Sequence, residues 1–213
     1  MTGMTDIAAR AALETFIANY PYIGLFTAVG SDDGTGFTEV SGGSYARFAT
    51  GSGDWSAAAG SAPSYIQNVN QFNLVTPTGS WGTVIGLGHF DAPTSGNLGG
   101  WDYLGTGVWM PCTVSNASPG VITTGTAHGF SVGDIVEFTT EYGGTAPSFS
   151  QSNFTGQLIL AHAATSTFDV TNSATQVNTS SAGNGMVRKL VSQTINSGGI
   201  PFFAASSLVV RLG

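Results

Sequence analysis

Short strand-like runs separated by turn-forming residues dominate the sequence from residue 22 onward. The runs include YIGLFTA, YARFAT, SYIQNVNQFNLV, WGTVIGLGHF and GGWDYLG, and clusters of Gly, Ser, Pro and Asp lie between them. Runs of this length, rich in β-branched and aromatic residues, are typical of β-strands. Because several of them recur at short spacing, the sequence predicts an all-β fold with a domain of the β-sandwich or jelly-roll kind.

One segment before these runs has a helical pattern. Thr5 and Asp6 precede the run IAARAALETFIANY, and residues of these types cap the first turn of a helix. Pro21 ends the pattern, because the residue before a proline avoids helical backbone angles. The sequence therefore predicts a short N-terminal helix. The apolar positions of this helix are Ile7, Ala11, Phe16 and Ile17.

The middle of the chain has a different pattern of strand-like runs and turns. From about residue 110, TVSNASPGVITTGTAHGFSVGDIVEFTT predicts three strands joined by tight turns, and further strand-like runs follow. The residue pattern of the first part of the chain returns in TINSGGIPFFAASSLVVRLG. Because domain insertions succeed at exposed loop tips, we expect residues 110–189 to form a small β-module. It is inserted into a discontinuous β-domain made of residues 1–109 and 190–213.

A low content of charged residues limits the partners of the chain. Charged residues make up 8% of the sequence, against roughly 25% in an average soluble domain. The net charge is −7, and no basic cluster exceeds the pair Arg188-Lys189, so we expect no nucleic-acid partner. The sequence also lacks an apolar run of the about 20 residues that span a membrane, and its first residues do not resemble a signal peptide. We therefore expect no membrane partner and synthesis in the host cytoplasm.

Candidate catalytic and metal-binding patterns are weak. His89 and Asp91 are two residues apart, a spacing that either places both side chains on one strand face for a metal or leaves a strand-end histidine and a turn aspartate. The run SDDGTG, which contains Asp32 and Asp33, lacks the ligand spacing of a calcium loop, and a glycine turn with solvated acids is the alternative. No serine lies in a GxSxG elbow. The lone Cys112 is expected to be a small buried hydrophobe. We expect no catalytic residue, no metal and no cofactor.

Three motifs occur in a fixed order along the chain: LFTAVGSDDGTGFTEVSGGSYARF, then SWGTVIGLGHFDAPTSGNLGGW, then IPFFAASSLVVRLG. This order resembles a family of small tailed-bacteriophage virion proteins of the tail fibre or head decoration type. The resemblance covers about residues 1–109 and 190–213. The central PGVITTGTAHGFSVGDIVEF, followed by STFDVTN, looks like a small β-barrel module that recurs in phage structural proteins. Its pattern is similar to a half-domain of ubiquitin-activating enzymes that carries no nucleophile.

The resemblance implies a virion structural protein without enzymatic activity. In the first form, the chain is a capsid decoration or cement protein on the surface of the icosahedral head, and its partners are the major capsid protein and further copies of itself in a homotrimer. In the alternative form, it is a tail fibre or receptor-binding adhesin component that contacts a host glycan through the inserted module or the Trp55 loop. The 213 residues contain no long repetitive shaft, which favours the decoration protein.

Five residues are candidates for contacts with a neighbouring subunit or with the capsid: Ile7, Leu13, Phe16, Arg47 and Trp55. The helix residues either pack on their own domain or dock on a neighbour, as terminal segments do. Arg47 follows the paired glycines of TEVSGGSYARF, and its guanidinium fork suits a salt bridge to an acid such as Glu39 or Asp54, within the chain or between subunits. Trp55 either fills the core or presents an interface or sugar platform.

Overall fold

The structure of the protein is a computed structural model, which describes residues 4–31, 33–61, 63–105, 107–140, 143–149, 158–172 and 175–212. Strands predominate in this part of the chain, and the predicted all-β class with a short N-terminal helix is confirmed. The elements are α1 Asp6–Asn19, β1 Tyr22–Ala28, β2 Thr38–Glu39, β3 Phe48–Ala49, β4 Ser64–Gln67, β5 Phe72–Asn73, β6 Gly82–Val84, β7 Gly86–Phe90, β8 Leu98–Tyr103, β9 Met110–Val114, β10 Val121–Thr124, β11 Ile135–Thr139, β12 Leu158–Ala163, β13 Thr167–Asn172, β14 Thr175–Gln176, β15 Gly183–Leu190, β16 Gln193–Ile195, β17 Phe202–Phe203 and β18 Val209–Leu212.

The chain divides into two compact units. The first contains Met1–Thr27, Glu39–Asp102 and Thr194–Gly213, and the second contains Ala28–Thr38 and Tyr103–Gln193. The short segment Ala28–Thr38 joins the second unit although it lies far from the rest of that unit in sequence, and no feature of the sequence indicated this. Autonomous folding of residues 110–189 as an inserted module stays a prediction.

The first unit is built on one main sheet and three two-stranded ribbons. In the main sheet the strand order is β2, β1, β7, β8, and β3 also pairs with β1. Strands β1 and β7 are antiparallel, with Tyr22 opposite Phe90 and Phe26 opposite Gly86. The ribbons pair β4 with β18, β5 with β17 and β6 with β16. Each ribbon joins a segment near the middle of the sequence to the C-terminal segment, so the unit is closed by long-range pairing.

Helix α1 begins and ends where the sequence predicts. The hydroxyl of Thr5 accepts a hydrogen bond from the N–H of Ala8 at 3.4 Å, which satisfies one free donor of the first turn. The helix ends at Asn19, two residues before Pro21. No helix in the described part of the chain is long and apolar enough to cross a bilayer.

The buried face of α1 includes only part of its apolar pattern. Its buried residues are Ala9, Leu13 and Ile17. Ile7 is 81% exposed, and Ala11 is exposed as well, so these two apolar positions do not pack on the unit. The helix is rich in alanine, whose small apolar side chain marks a buried face only weakly. Packing of the helix against β4 and β18 decides which side is covered.

The second unit is a curled antiparallel sheet. Its strand order is β10, β9, β15, β11, β12, β13, β14, and β10 also pairs with β13. That additional pairing closes six of the described strands into a ring, which leaves few free strand edges. The interior is apolar and includes Val114, Ile122, Val136 and Val187, each at most 2% exposed.

Cys112 belongs to this interior. It is a free cysteine and is buried among the apolar side chains of the ring. Burial raises the pKa of the Cys112 thiol to about 11, so the thiol stays protonated at neutral pH. The residue therefore acts as a small core side chain, as its isolation in the sequence predicted.

Candidate functional site

The paired glycines of TEVSGGSYARF form a tight turn in left-handed backbone conformation. The φ angles of Gly42, Gly43 and Ser44 are 75°, 54° and 62°. A side chain at Gly43 would place its Cβ 2.8 Å from the carbonyl oxygen of Gly79, so only glycine fits there. The carbonyl of Gly43 accepts the indole N–H of Trp81 at 3.0 Å. The turn is therefore held against a distant part of the same unit.

Arg47 lies at the end of this motif and pairs with Glu39. Its Nε donates to Oε1 of Glu39 at 2.8 Å, and its Nη2 donates to Oε2 at 2.7 Å. The Arg47 side chain is 6% exposed and the Glu39 side chain 27%. This is the two-point geometry that a guanidinium makes with a carboxylate, and it confirms Glu39 as the acid partner within the chain.

The remaining contacts of Arg47 reach a second loop. Its Nη1 donates to the carbonyl oxygens of Ala92 and Ser95 at 2.7 and 2.6 Å. Its guanidinium carbon lies 3.4 Å from the centre of the Phe90 ring, a cation–π contact. Arg47 therefore connects β2, the end of β7 and the turn after β7, which the sequence separates by more than forty residues.

Tyr45 extends the same network into the sheet. Its hydroxyl donates to Oε1 of Glu39 at 2.9 Å and accepts the backbone N–H of Leu25 at 2.8 Å. Burial raises the pKa of Tyr45 well above its usual value, with the Glu39 carboxylate acting in the same direction. The hydroxyl therefore stays protonated and keeps both hydrogen bonds. Glu39, Tyr45 and Arg47 form a hydrogen-bonded network, here called the Arg47 network. It joins β1, β2 and the turn after β7 within the first unit.

His89 and Asp91 are used in separate contacts. The His89 ring is buried, and its Nδ1 lies 3.2 Å from the carbonyl oxygen of Tyr20. The exposed Asp91 carboxylate accepts two hydrogen bonds from Asn97, both at 2.7 Å, and these bonds lower the pKa of Asp91. The described residues hold no group of three or more side chains that could bind a metal.

The buried His89 predicts a pH dependence of stability. Burial lowers the pKa of folded His89 below its ordinary value of 6.5. Below pH 6.5 the unfolded chain therefore binds a proton that the folded chain excludes, so stability falls as the pH is lowered. The expected slope is up to about 1.4 kcal/mol per pH unit. Urea unfolding between pH 5 and 7.5 measures it. His89→Gln should flatten the curve in this range, and an equal slope in both proteins would contradict the assignment.

The SDDGTG turn is closed by one carboxylate. Asp33 accepts hydrogen bonds from the Ser31 hydroxyl at 2.6 Å and from the N–H and hydroxyl of Thr35 at 3.0 and 2.7 Å. These bonds lower the pKa of the exposed Asp33 to about 2. Its neighbour Asp32 lies outside the described residues. The geometry around Asp33 is that of a glycine turn with a solvated acid.

Trp55 is buried in the first unit. Its side chain is 5% exposed, packs edge-on against Phe72 and makes a tilted ring contact with His89. It therefore fills the core and presents no exposed platform. A cleft of about 440 Å³ adjoins it, and the lining includes Glu14, Ile17, Ala18, Thr50, Ser52 and Trp55.

The five predicted contact residues fall into two groups. Leu13, Arg47 and Trp55 are buried inside the first unit. Phe16 is half-buried and Ile7 is exposed. Their assignment to contacts with another subunit or with the capsid stays a prediction, and only Ile7 offers most of its surface for such a contact.

A further exposed apolar surface was missed in the sequence. Phe202 lies opposite Asn73 in the β5–β17 ribbon, so the same register places Ile200 beside Val75 on that face. Phe202, Ile200 and Val75 are 57%, 55% and 41% exposed. These three residues are called the ribbon face below. Its members come from segments about 125 positions apart, and no sequence pattern could have joined them.

One family model matches the part of the chain that carries the Arg47 network and Trp55. The family described as Podophage GP4 fiber I protein gp80 matches residues 5–107. This match supports a bacteriophage virion structural protein. It covers just under half of the 213 residues and includes α1, the Arg47 network and strands β1 to β8. No curated protein matches the chain.

Proposed function

We propose that the chain is a fibre-type structural subunit of a phage virion. The match of residues 5–107 to a fibre protein family carries this proposal. The Arg47 network supports it, because the charged and phenolic groups of the matched segment bond to each other and to backbone carbonyls in the manner of a scaffold. In this proposal the protein has no enzymatic activity and no nucleic-acid or membrane partner.

The ribbon face supports assembly with further copies of the chain. Three exposed apolar side chains on one face of a ribbon are typical of an interaction surface. The sequence of the two segments, FNLV and IPFF, carries no charge that would oppose burial. Lys189 is the single lysine of the sequence, so lysines do not protect the strand edges from pairing. We therefore propose a homotrimer in which each ribbon face is covered by a neighbouring copy.

Capsid decoration is the second candidate. The low charge of the chain lets many copies lie close together without strong repulsion. In this form the partner is the major capsid protein, the location is the capsid surface, and the exposed Ile7 side of α1 is the proposed attachment. In the fibre form, the ligand is a host glycan.

The number of copies per virion separates the two candidates. Quantitative mass spectrometry of purified virions, referenced to the major capsid protein, measures it. A fibre subunit is expected in a few dozen copies and at the tail in immunogold images. A decoration protein is expected to approach the number of capsid subunits. Absence of the chain from purified virions would contradict both forms.

A further inference from the structure

The ring of His89 is enclosed by residues of three different elements. The Phe16 ring of α1 packs edge-on against it, with 5.4 Å between the ring centres, and the centre of the Trp55 ring lies 5.6 Å away. On the strand side, His89 lies opposite Ile23 of β1. His89 is 4% exposed, and all of these residues belong to the first unit. Helix α1 therefore forms one wall of the environment of His89.

The hydrogen bonds of this ring determine where a second proton would bind. The Tyr20 carbonyl oxygen, 3.2 Å from Nδ1, can only accept, so Nδ1 carries the hydrogen of the neutral ring. A charged ring therefore gains its second proton on Nε2. No described residue accepts a hydrogen bond from Nε2. The neighbouring indole Nε1 of Trp55 is itself a buried donor without a partner among the described residues. The folded environment consequently suits the neutral ring and not the charged one.

Ionised side chains do not compensate for a charge on His89. Burial lowers the pKa of His89, and the Tyr20 carbonyl opposes this shift to a smaller extent. The elements around the ring carry ionisable side chains that do not contribute to the shift, namely Glu14 on α1, Tyr20 at its end, Tyr22 on β1, Asp54 beside Trp55, Asp91 after β7 and Asp102 on β8. Asp54 accepts instead from the N–H of Gly51, and Asp91 accepts from Asn97.

Helix α1 can separate from the sheet without breaking strand pairing. Its contacts with the strands are made through side chains, and the Phe16 ring lies so close to Gly100 that a Cβ there would be 3.1 Å from it. Arg10 donates two hydrogen bonds to the Gly60 carbonyl, at 3.1 and 2.6 Å. A cleft of about 440 Å³ separates part of α1 from residues 50–57. Release of α1 would therefore take from the His89 ring both its aromatic neighbour on the helix and its carbonyl acceptor.

We propose that His89 is an acid-sensitive contact of α1, and that protonation of His89 releases α1 while the strands of the first unit stay paired. Below pH 6.5, the ordinary pKa of histidine, the released form binds a proton that the docked form excludes. Release is therefore favoured by up to about tenfold more for each pH unit, until the pH falls below the lowered pKa of the docked form. The inference goes beyond the proposed function and holds equally for a fibre subunit and a decoration protein.

The test is hydrogen exchange of the full-length chain, followed by mass spectrometry between pH 5 and 7.5. Protection factors correct for the intrinsic exchange rate at each pH. In the wild type, the protection of α1 is expected to fall by up to about tenfold per pH unit below pH 6.5, whereas that of β1 and β7 stays constant. His89→Gln cannot take up a proton and should remove this dependence. The matched control, His162→Gln, replaces an 81% exposed histidine of the second unit and should keep the wild-type response.

Three results would overturn the proposal. The first is α1 protection that does not change with pH in the wild type. The second is an equal loss of protection in α1, β1 and β7, because His89 would then govern unfolding of the whole unit. The third is the same response in His89→Gln and the wild type. If His89→Gln does not fold, the comparison of α1 with β1 and β7 in the wild type still decides the question.

Discussion

Replacing Arg47 with alanine is expected to lower the free energy of unfolding by about 3 to 5 kcal/mol, the range found when one partner of a buried ion pair is removed. The substitution leaves Glu39 without its cation, although the Tyr45 hydroxyl remains bonded to it. It also leaves the carbonyls of Ala92 and Ser95 without the donor they share, and Phe90 without its cation–π contact. Denaturant unfolding followed by circular dichroism measures the change.

Two further variants separate the causes. Arg47→Lys keeps the charge and loses the fork that bonds both Glu39 oxygens and two carbonyls, so we expect a loss between those of wild type and Arg47→Ala. Arg211→Ala removes an exposed arginine of the same unit and should change stability by at most about 0.5 kcal/mol. A loss below 1 kcal/mol for Arg47→Ala would show that the network contributes little to stability.

Replacing Phe202 with glutamate is expected to reduce incorporation of the protein into virions at least tenfold. A charge at the centre of the ribbon face would have to be buried against the neighbouring copy without a partner, which costs several kcal/mol. Because the Phe202 side chain is 57% exposed in the single chain, the isolated protein should fold with a nearly unchanged melting temperature. Sedimentation measures the loss of the trimer, and virion composition after complementation measures incorporation.

The matched control for this prediction is Val132→Glu. Val132 is 64% exposed and belongs to the second unit, whereas the residues of the ribbon face belong to the first. It receives the same charge and should enter virions at the wild-type level. Equal incorporation of Phe202→Glu and Val132→Glu would exclude the ribbon face as the contact between copies. A melting temperature that falls by more than a few degrees in Phe202→Glu would show that the residue supports the fold instead.

The features predicted correctly from the sequence are local ones. The helix cap at Thr5, the helix end before Pro21 and the turn at the paired glycines depend on residues within a few positions of each other. The strand-rich class depends on run length and on turn residues, which are also local. The acid partner of Arg47 could be predicted for the same reason, since Glu39 lies only eight residues away in the sequence.

The features that the sequence left undecided concern which side chains are buried. The apolar Ile7 is exposed, because a helix so rich in alanine does not define its own buried face. The ribbon face was not predicted, because its residues share a face only through the pairing of β5 with β17. The unpaired Trp55 donor was not predicted either, since a tryptophan in a sequence carries no sign of whether its N–H will find an acceptor.

The sequence by itself determined the strand-rich class, the helix limits, the positive-φ turn at residues 42–44 and the low charge, because these follow from backbone sterics and composition over short spans. Tertiary structure alone decided that Arg47 also bonds Ala92 and Ser95, that Trp55 is buried beside a cleft, and that residues 28–38 belong to the second unit. The physical reason is that burial and pairing between distant segments depend on packing of the whole unit, and such packing leaves no periodic signal in the chain.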